Sequence, residues 1–506
     1  MKTETMPSIS AHAAIDLGAS SGRVVLGFLT ETGLELKEMH RFVNEPYVAD
    51  DKLHWDIDRL FSESIAGLRR AVTECTAAGT VLTSIGIDSW GVDFALLGAD
   101  GALDTPIRHH RGSVNPESFI HARGLSESSV YSLSGVADQA INTSFQLAEL
   151  ATEMEFAGER PLFIPDLWVY LLTGSIGTEV TIASTSQLMD PATGDWSGPL
   201  ISAHGLHGLE FPEISAPGSC AGVTSTSITD RIGSDEPVTV YRVASHDTAS
   251  AFAFAEPAGF LAPDEVAAGT QGLISSGTWS VVAVVVPAPV KTSAARISHF
   301  TNESAASGTL LLRNLNGMWV LQECIRDWER IDGRPVDIQP LLAAASETLG
   351  SEDVFDVADE RLLAPDDMVE RIHALCREAG RAVPDTRGGV VRAILDSLAA
   401  AYANAIRAAE TITSTPITSI RIVGGGSRNA LLCQLTANAT GLNVLAGPTE
   451  ASSIGNIAVQ AVAAGKRDTI AEVYASLHGV GTHSTFYIPR GDFLPRHSPS
   501  KESNEH

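Results

Sequence analysis

At 506 residues, 44% hydrophobic and 19% charged, the chain has room for roughly two to four domains and the composition of a soluble globular protein. Sixty-one acidic against 34 basic side chains leave a formal charge of −27. That balance excludes a nucleic-acid partner, which needs a basic footprint, but leaves room for a local phosphate site built from backbone N–H groups and a metal ion.

The first residues, MKTETMPSIS, lack an apolar signal core, and no run reaches the ~18 apolar residues of a membrane helix. A cytoplasmic protein without a membrane partner is expected. Residues 1–11 and 492–506 are polar and are expected to be disordered tails. Between them, Ala13-Ala14-Ile15-Asp16-Leu17-Gly18-Ala19-Ser20-Ser21-Gly22-Arg23-Val24-Val25 predicts a strand, a small-residue turn and a second strand. Residues 58–71 carry helical spacing through Leu60, Phe61, Ile65 and Leu68, and residues 84–88 predict a short strand. His204 and His207 are three apart, but no acidic or thiol partner accompanies them, so no metal site is expected there. An alternating stretch over 238–243 predicts a strand that runs into Ser245-His246-Asp247-Thr248.

The second half opens on the same plan. Gly272-Leu273-Ile274-Ser275-Ser276-Gly277-Thr278-Trp279-Ser280-Val281-Val282 again predicts strand, Ser/Gly turn and strand. Residues 389–410 predict an amphipathic helix and 419–423 a strand, which ends in Gly424-Gly425-Gly426 before a helix over 429–440. A small-residue segment, Glu450-Ala451-Ser452-Ser453-Ile454-Gly455-Asn456, starts a further helix. The five cysteines are odd in number, widely spaced and without a Cys-x-x-Cys pair, so reduced structural thiols are expected.

Small-residue turns between strands expose successive N–H groups, which suits phosphate oxygens, and one such turn in each half suggests opposed grips on a nucleotide. Asp16 at the first turn would repel phosphate unless a cation intervened, and Mg²⁺ resolves that conflict. The alternative, a strand-end aspartate bonding its own turn, stays open. The triple glycine fails the dinucleotide fingerprint because Asn429 holds the place of its last glycine. The P-loop and protein-kinase signatures are also absent.

These pieces, in this order, resemble the FGGY carbohydrate kinases. The carriers are Asp16 to Arg23, Ser276-Gly277-Thr278-Trp279, Ile422-Val423-Gly424-Gly425-Gly426-Ser427-Arg428-Asn429, and Glu450-Ala451-Ser452; the resemblance spans roughly residues 12 to 490. It implies an α/β fold of two actin-like, ribonuclease H-like domains with a catalytic cleft between them: a sugar-binding domain over 12–255 and an ATP-binding domain over 256–491. Gly86-Ile87-Asp88-Ser89-Trp90-Gly91-Val92-Asp93-Phe94, His54-Trp55-Asp56 and Asn314-Leu315-Asn316-Gly317-Met318-Trp319 fit the subgroup that phosphorylates L-rhamnulose at O1, a step of L-rhamnose catabolism. Carried over by position, Ala19, Ser20, Ser21, Gly22, Arg23, Thr278, Gln322 and Gly425 would face ATP. Gly91, His246, Asp247, Thr248 and Asn314 would face the sugar. The chain departs from the family at His109-His110-Arg111-Gly112-Ser113-Val114-Asn115-Pro116-Glu117, where a Tyr-Arg-Asp-x-Arg-Thr-like stretch is usual, so the exact ketose stays open there.

Phosphorylation of a hydroxyl needs in-line placement, neutralised phosphate and a carboxylate beside the attacking oxygen. Asp247 is the candidate base, with His246 and Thr248 as sugar-facing supports. The plainer reading, Asp247 or Thr248 as a helix N-cap, is compatible with that role. A Ser-His-Asp hydrolase is disfavoured, because consecutive strand residues point to opposite faces. Kinases for L-fuculose or a xylulose-type ketose, and a non-catalytic sugar or nucleotide binder, are the alternatives. Oligomeric state is not assigned.

Overall fold

The computed structural model describes residues 9–31, 33–104, 106–111, 116–255, 270–350, 355–478 and 484–490. The expected tails at 1–8 and 492–506 lie outside the described residues, whereas Ser10 and Ala11 already belong to the first strand.

Two seven-stranded mixed sheets dominate the architecture, and they repeat one plan. In the first, Leu34–Val43, Ser21–Leu29 and Ser10–Leu17 run antiparallel side by side, and Leu82–Ser89 and Thr239–Arg242 continue in parallel. In the second, Thr309–Asn316, Trp279–Val286 and Thr270–Ser276 are antiparallel, followed in parallel by Ile417–Val423 and Asn443–Ala446. Both expected hairpins therefore form, each at the centre of its sheet. Their apolar runs are buried on both faces, as near-continuous Val/Ile/Leu strands require.

The expected helices also form, with ends set by local caps. The 58–71 signal becomes Ile57–Ala77, whose first turn is capped by Asp56 accepting from Arg59 N–H at 3.2 Å. The 389–410 signal becomes Arg387–Thr413, capped by Thr386 accepting from Gly389 N–H. Among the described residues this is the one helix long and apolar enough to cross a membrane, and 78% of its apolar window is buried within the fold. Asn429 caps Ala430–Thr440 through Leu432 N–H. His204 Nδ1–H is taken up by the Leu200 carbonyl at 2.9 Å. All five cysteines are free, four of them buried and Cys220 exposed.

The two halves are joined by an exchange of helices. Asp247–Ala251 follows the last parallel strand of the first sheet, yet its Ala249 and Ala251 pack with Leu273, Val281 and Ala283 of the second sheet. Ala451–Ala463 follows the last parallel strand of the second sheet, yet its Ile457, Ala458 and Ala461 pack with Ala14, Val25 and Leu29 of the first. The two helices cross where Gly455 meets the Ser250 carbonyl oxygen, so closely that a Cβ at 455 would run into it.

Gly455→Ala should therefore destabilise the fold by about 1–3 kcal/mol, the usual cost of overpacking against backbone that cannot move aside. Gly425→Ala, where an added Cβ meets open space, should stay within about 0.5 kcal/mol of the parent. Urea unfolding of the two variants checks the contrast.

Candidate active site

A cavity of about 340 Å³ lies between the two sheets at the carboxyl ends of their parallel strands. The two hairpin turns face it from opposite sides. The first turn is closed by Gly18 N–H donating to Ser21 O at 2.9 Å and is braced by Asn44, whose side-chain amide donates to Gly18 O. The second is closed by Gly277 N–H donating to Trp279 O at 2.9 Å, while Met318 N–H donates to Gly277 O. Ala19, Ser20, Ser21, Arg23 and Thr278 line the cavity, as do Gly91, His246, Asp247, Thr248 and Asn314.

Three expected residues sit elsewhere. Gly22 packs under the Phe42 ring, where a Cβ would collide, so it shapes the hairpin and does not line the cavity. Gln322 is exposed on Trp319–Asp332 and lines neither this cavity nor the adjoining one. Gly425 lines that adjoining cavity, together with Arg428, Glu450 and Ser452. Of the triple glycine, Gly425 alone is open. Gly424 and Gly426 approach Ser276 of the second hairpin, so part of that signal reflects close packing of the chain on itself.

Asp16 is the electrostatic hub. Its Oδ2 receives Arg23 at 2.6 Å, the Ser452 hydroxyl at 2.5 Å and the Ser453 hydroxyl at 2.9 Å. Burial opposes its charge, but Arg23 and the two hydroxyls outweigh burial and hold the carboxyl below its ordinary range. Arg23 also pairs with Glu450 at the start of the exchanged helix. The first hairpin is thus tied ionically to the second half. Beside it, Asp88 accepts from Asn456 at 2.6 Å, and burial together with the Asp16 charge pushes its carboxyl well above the usual range.

The residues at 246–248 leave the strand before they reach the cavity. His246 occupies the N-cap position of Asp247–Ala251 without a side-chain cap bond, and Asp247 opens the helix. Neither Asp247 nor Thr248 is the N-cap. The two neighbours are also not on opposite faces: His246 Nε2 stands 3.5 Å from Asp247 Oδ1, because the chain turns between them. Thr248 donates its hydroxyl to the same oxygen at 3.1 Å. The preceding backbone is pinned by Ser245 N–H to Glu179 at 3.0 Å and His246 N–H to the Thr181 hydroxyl at 3.1 Å.

Asp247 is about a third exposed toward the cavity. Partial burial raises its pKa, His246 works against that rise, and Asp16 adds to it. Across the cleft, Glu303 of Thr301–Ser304 places Oε2 2.9 Å from His246 Nδ1. The contact is an ion pair between the imidazole and the carboxylate. Burial lowers the His246 pKa, but the Glu303 and Asp247 carboxylates outweigh it and lift the value to about 9. The imidazole is therefore charged at neutral pH. Glu303 had no sequence signal, since nothing in its own stretch marks it as a partner of His246. Glu450 and Ser452 lay inside a quoted segment but gave no hint of their attachment to Arg23.

A second bridge crosses the cleft at the atypical segment. The Arg111 guanidinium lies 5.5 Å from the Trp279 ring centre and 4.8 Å from that of Trp319. Residues 112–115 of that segment lie outside the described residues.

Comparison with known proteins gives one consistent result. Models of the N-terminal and C-terminal domains of the FGGY family of carbohydrate kinases match residues 12–253 and 272–464. A rhamnulokinase from Bacteroides thetaiotaomicron is 37% identical over 465 residues, covering 90% of this chain and 92% of that protein. One from Bacillus subtilis is 36% identical over 458 residues, covering 90% of each. Among solved structures, a ligand-bound xylulose kinase from Lactobacillus acidophilus superposes with TM-score 0.72 at 15% identity, over 96% of this chain and 94% of that one. Plasmodium falciparum glycerol kinase with ADP gives 0.72 at 14% identity, over 96% and 95%.

The His246–Glu303 pair sets a measurable titration. Because the folded value lies above the ordinary 6.5, the pair stabilises the fold fully below about pH 6.5 and loses that contribution as pH rises through about 9. NMR titration of His246 should give a midpoint near 9, and Glu303→Gln should move it down by at least about one unit. An unmoved midpoint would remove Glu303 as the cause.

Proposed function

The chain belongs to the FGGY family of carbohydrate kinases, and from that membership we propose that it transfers the γ-phosphoryl group of ATP to O1 of L-rhamnulose, giving L-rhamnulose 1-phosphate and ADP in L-rhamnose catabolism. The observation that carries this reading is Asp247, held at the wall of a cavity that both small-residue turns also line. The choice of ketose rests on the two rhamnulokinases that are 36% and 37% identical to it over 90% of the chain. It is supported by the apolar side chains of Trp90, Val92, Val136 and Ile141 in the cavity lining. Those suit a 6-deoxyketose, whose chain ends in a methyl group, better than one ending in a hydroxymethyl group.

In this reading residues 12–255 form the sugar-binding half and 256–491 the ATP-binding half. Ala19 to Ser21 and Thr278 supply N–H and hydroxyl donors to the phosphates, and Gly425 gives the nucleoside an unobstructed floor. Gly91, Thr248 and Asn314 border the sugar. His246, as an imidazolium, stabilises negative charge beside the reacting hydroxyl. Asp247 accepts the proton of that hydroxyl as the oxygen–phosphorus bond forms. A carboxylate with a raised pKa is better matched to this role than an ordinary one, because its proton affinity is closer to neutral pH.

Mg²⁺ fits the residues present. Asp16 has one oxygen fully engaged and Oδ1 without a partner among the described residues. No group of three or more potential ligands occurs among those residues. A site of one carboxylate, water and nucleotide phosphates is the usual arrangement for this ion. When bound there, Mg²⁺ would neutralise phosphate charge. The protein is placed in the cytoplasm, where ATP and reduced thiols are both available.

Coupled ADP-release assays over a ketose panel test the assignment. L-Rhamnulose should be preferred to L-fuculose, to xylulose and to its 6-hydroxy analogue, with a missing methyl contact alone worth roughly 10- to 200-fold. Asp247→Asn should lower kcat by at least about 10²-fold and leave ATP affinity nearly unchanged. Turnover with no sugar would overturn the kinase assignment, and a clear preference for another ketose would overturn the substrate alone.

A further inference from the structure

The cavity wall holds a second histidine–aspartate pair, distinct from His246 and Asp247. Asp93 follows the strand Leu82–Ser89 and is fully buried, at 0% exposure. Its Oδ2 gathers three N–H donors: Trp55 Nε1 at 2.7 Å, Trp90 Nε1 at 2.9 Å and His110 Nδ1 at 2.7 Å. An indole N–H donates and never accepts, so two of the three contacts demand an accepting oxygen. With two indole N–H groups donating to the same Oδ2, that oxygen acts as an acceptor in all three contacts.

His110 Nδ1 must then carry the hydrogen in this contact. In the neutral ring, that leaves Nε2 with a bare lone pair. The ring lines the same cavity as Trp90, Gly91 and Asp247, and its Nε2 has no partner among the described residues. It is also wedged in place, with its centre 4.4 Å from that of His109 and 6.2 Å from that of Trp55. A ring fixed in position and tautomer is a preorganised acceptor.

We propose that His110 is a specificity-determining residue whose Nε2 accepts a hydrogen bond from a hydroxyl of the bound ketose, with Asp93 as the positioning residue that fixes its tautomer. This rests on the phosphotransfer reading above and extends it to the segment where the chain departs from its family. A lone-pair acceptor in a closed site discriminates sharply, because a ketose without a hydroxyl at that place leaves the lone pair unsatisfied.

Two measurements test it. Calorimetry with L-rhamnulose should show binding weakened at least about 10-fold in His110→Phe, with ADP binding unchanged. His110→Gln, whose amide oxygen can accept, should recover part of the loss. Unaltered ketose affinity in His110→Phe overturns the proposal while leaving phosphotransfer standing. Should His110→Phe not fold, ¹⁵N NMR of the native protein decides: His110 should show a protonated Nδ1 and a bare Nε2, and the Nε2 resonance should shift when L-rhamnulose is added. Asp93→Asn should disturb that tautomer signature. A protonated Nε2, or a resonance that ignores the sugar, overturns the proposal. A sugar-dependent shift without any turnover would overturn phosphotransfer and leave the His110 contact intact, and a native protein that binds nucleotide but no ketose would overturn both.

Discussion

The contact between Gly455 and the Ser250 carbonyl is the constraint from which the rest of the structure follows. Each sheet lends a helix to the other, and the two borrowed helices must pass each other at backbone distance. The crossing sets the angle at which the sheets face one another and brings both hairpin turns to one cavity. Asp247 opens one of the crossing helices, and Ser452 and Ser453 lie in the first turn of the other. The groups of the site are therefore positioned by the same contact that holds the halves together.

The second constraint is charge. A chain with a formal charge of −27 must receive an anion in a cavity bordered by Asp16, Asp247 and Glu303. Each acid is compensated differently. Asp16 stays ionised because Arg23 and two hydroxyls converge on one oxygen. Glu303 is answered by the imidazolium of His246, and Asp88 is driven toward its protonated form by burial and by Asp16. Asp247 retains a raised proton affinity. A buried acid with no such answer would be costly enough to relax the fold or change protonation.

The backbone plan was legible from the sequence. Apolar runs that enter and leave Ser/Gly turns could form little other than central hairpins, and the resemblance at Asp16 to Arg23 and at Ser276 to Trp279 gave their meaning. Asp247 stood out because a polar triplet ended an apolar strand. Long-range pairing was not legible. Nothing in Thr301-Asn302-Glu303-Ser304 announces His246 as a partner, and nothing around Arg23 announces its ion pairs with Asp16 and Glu450. Glycine misled in a related way. Gly22 and Gly426 are small because the chain packs against itself there, a reason that leaves the same mark in sequence as a binding site. The relation of His246 to Asp247 also depended on a turn between them, which a strand reading of that stretch cannot supply.

The exchange of helices has a consequence for how the chain reaches its fold. Ala14, Val25 and Leu29, on Ser10–Leu17 and Ser21–Leu29, are covered by Ile457, Ala458 and Ala461, which come far later in the sequence. Leu34–Val43 pairs with Leu477–His478 at the sheet edge. The apolar surface of these strands thus waits for segments of the second half before it is buried. Such high contact order slows folding and prolongs the exposure of aggregation-prone strands. A protein joined in this way matures as one cooperative unit, and its first half alone carries an uncovered face.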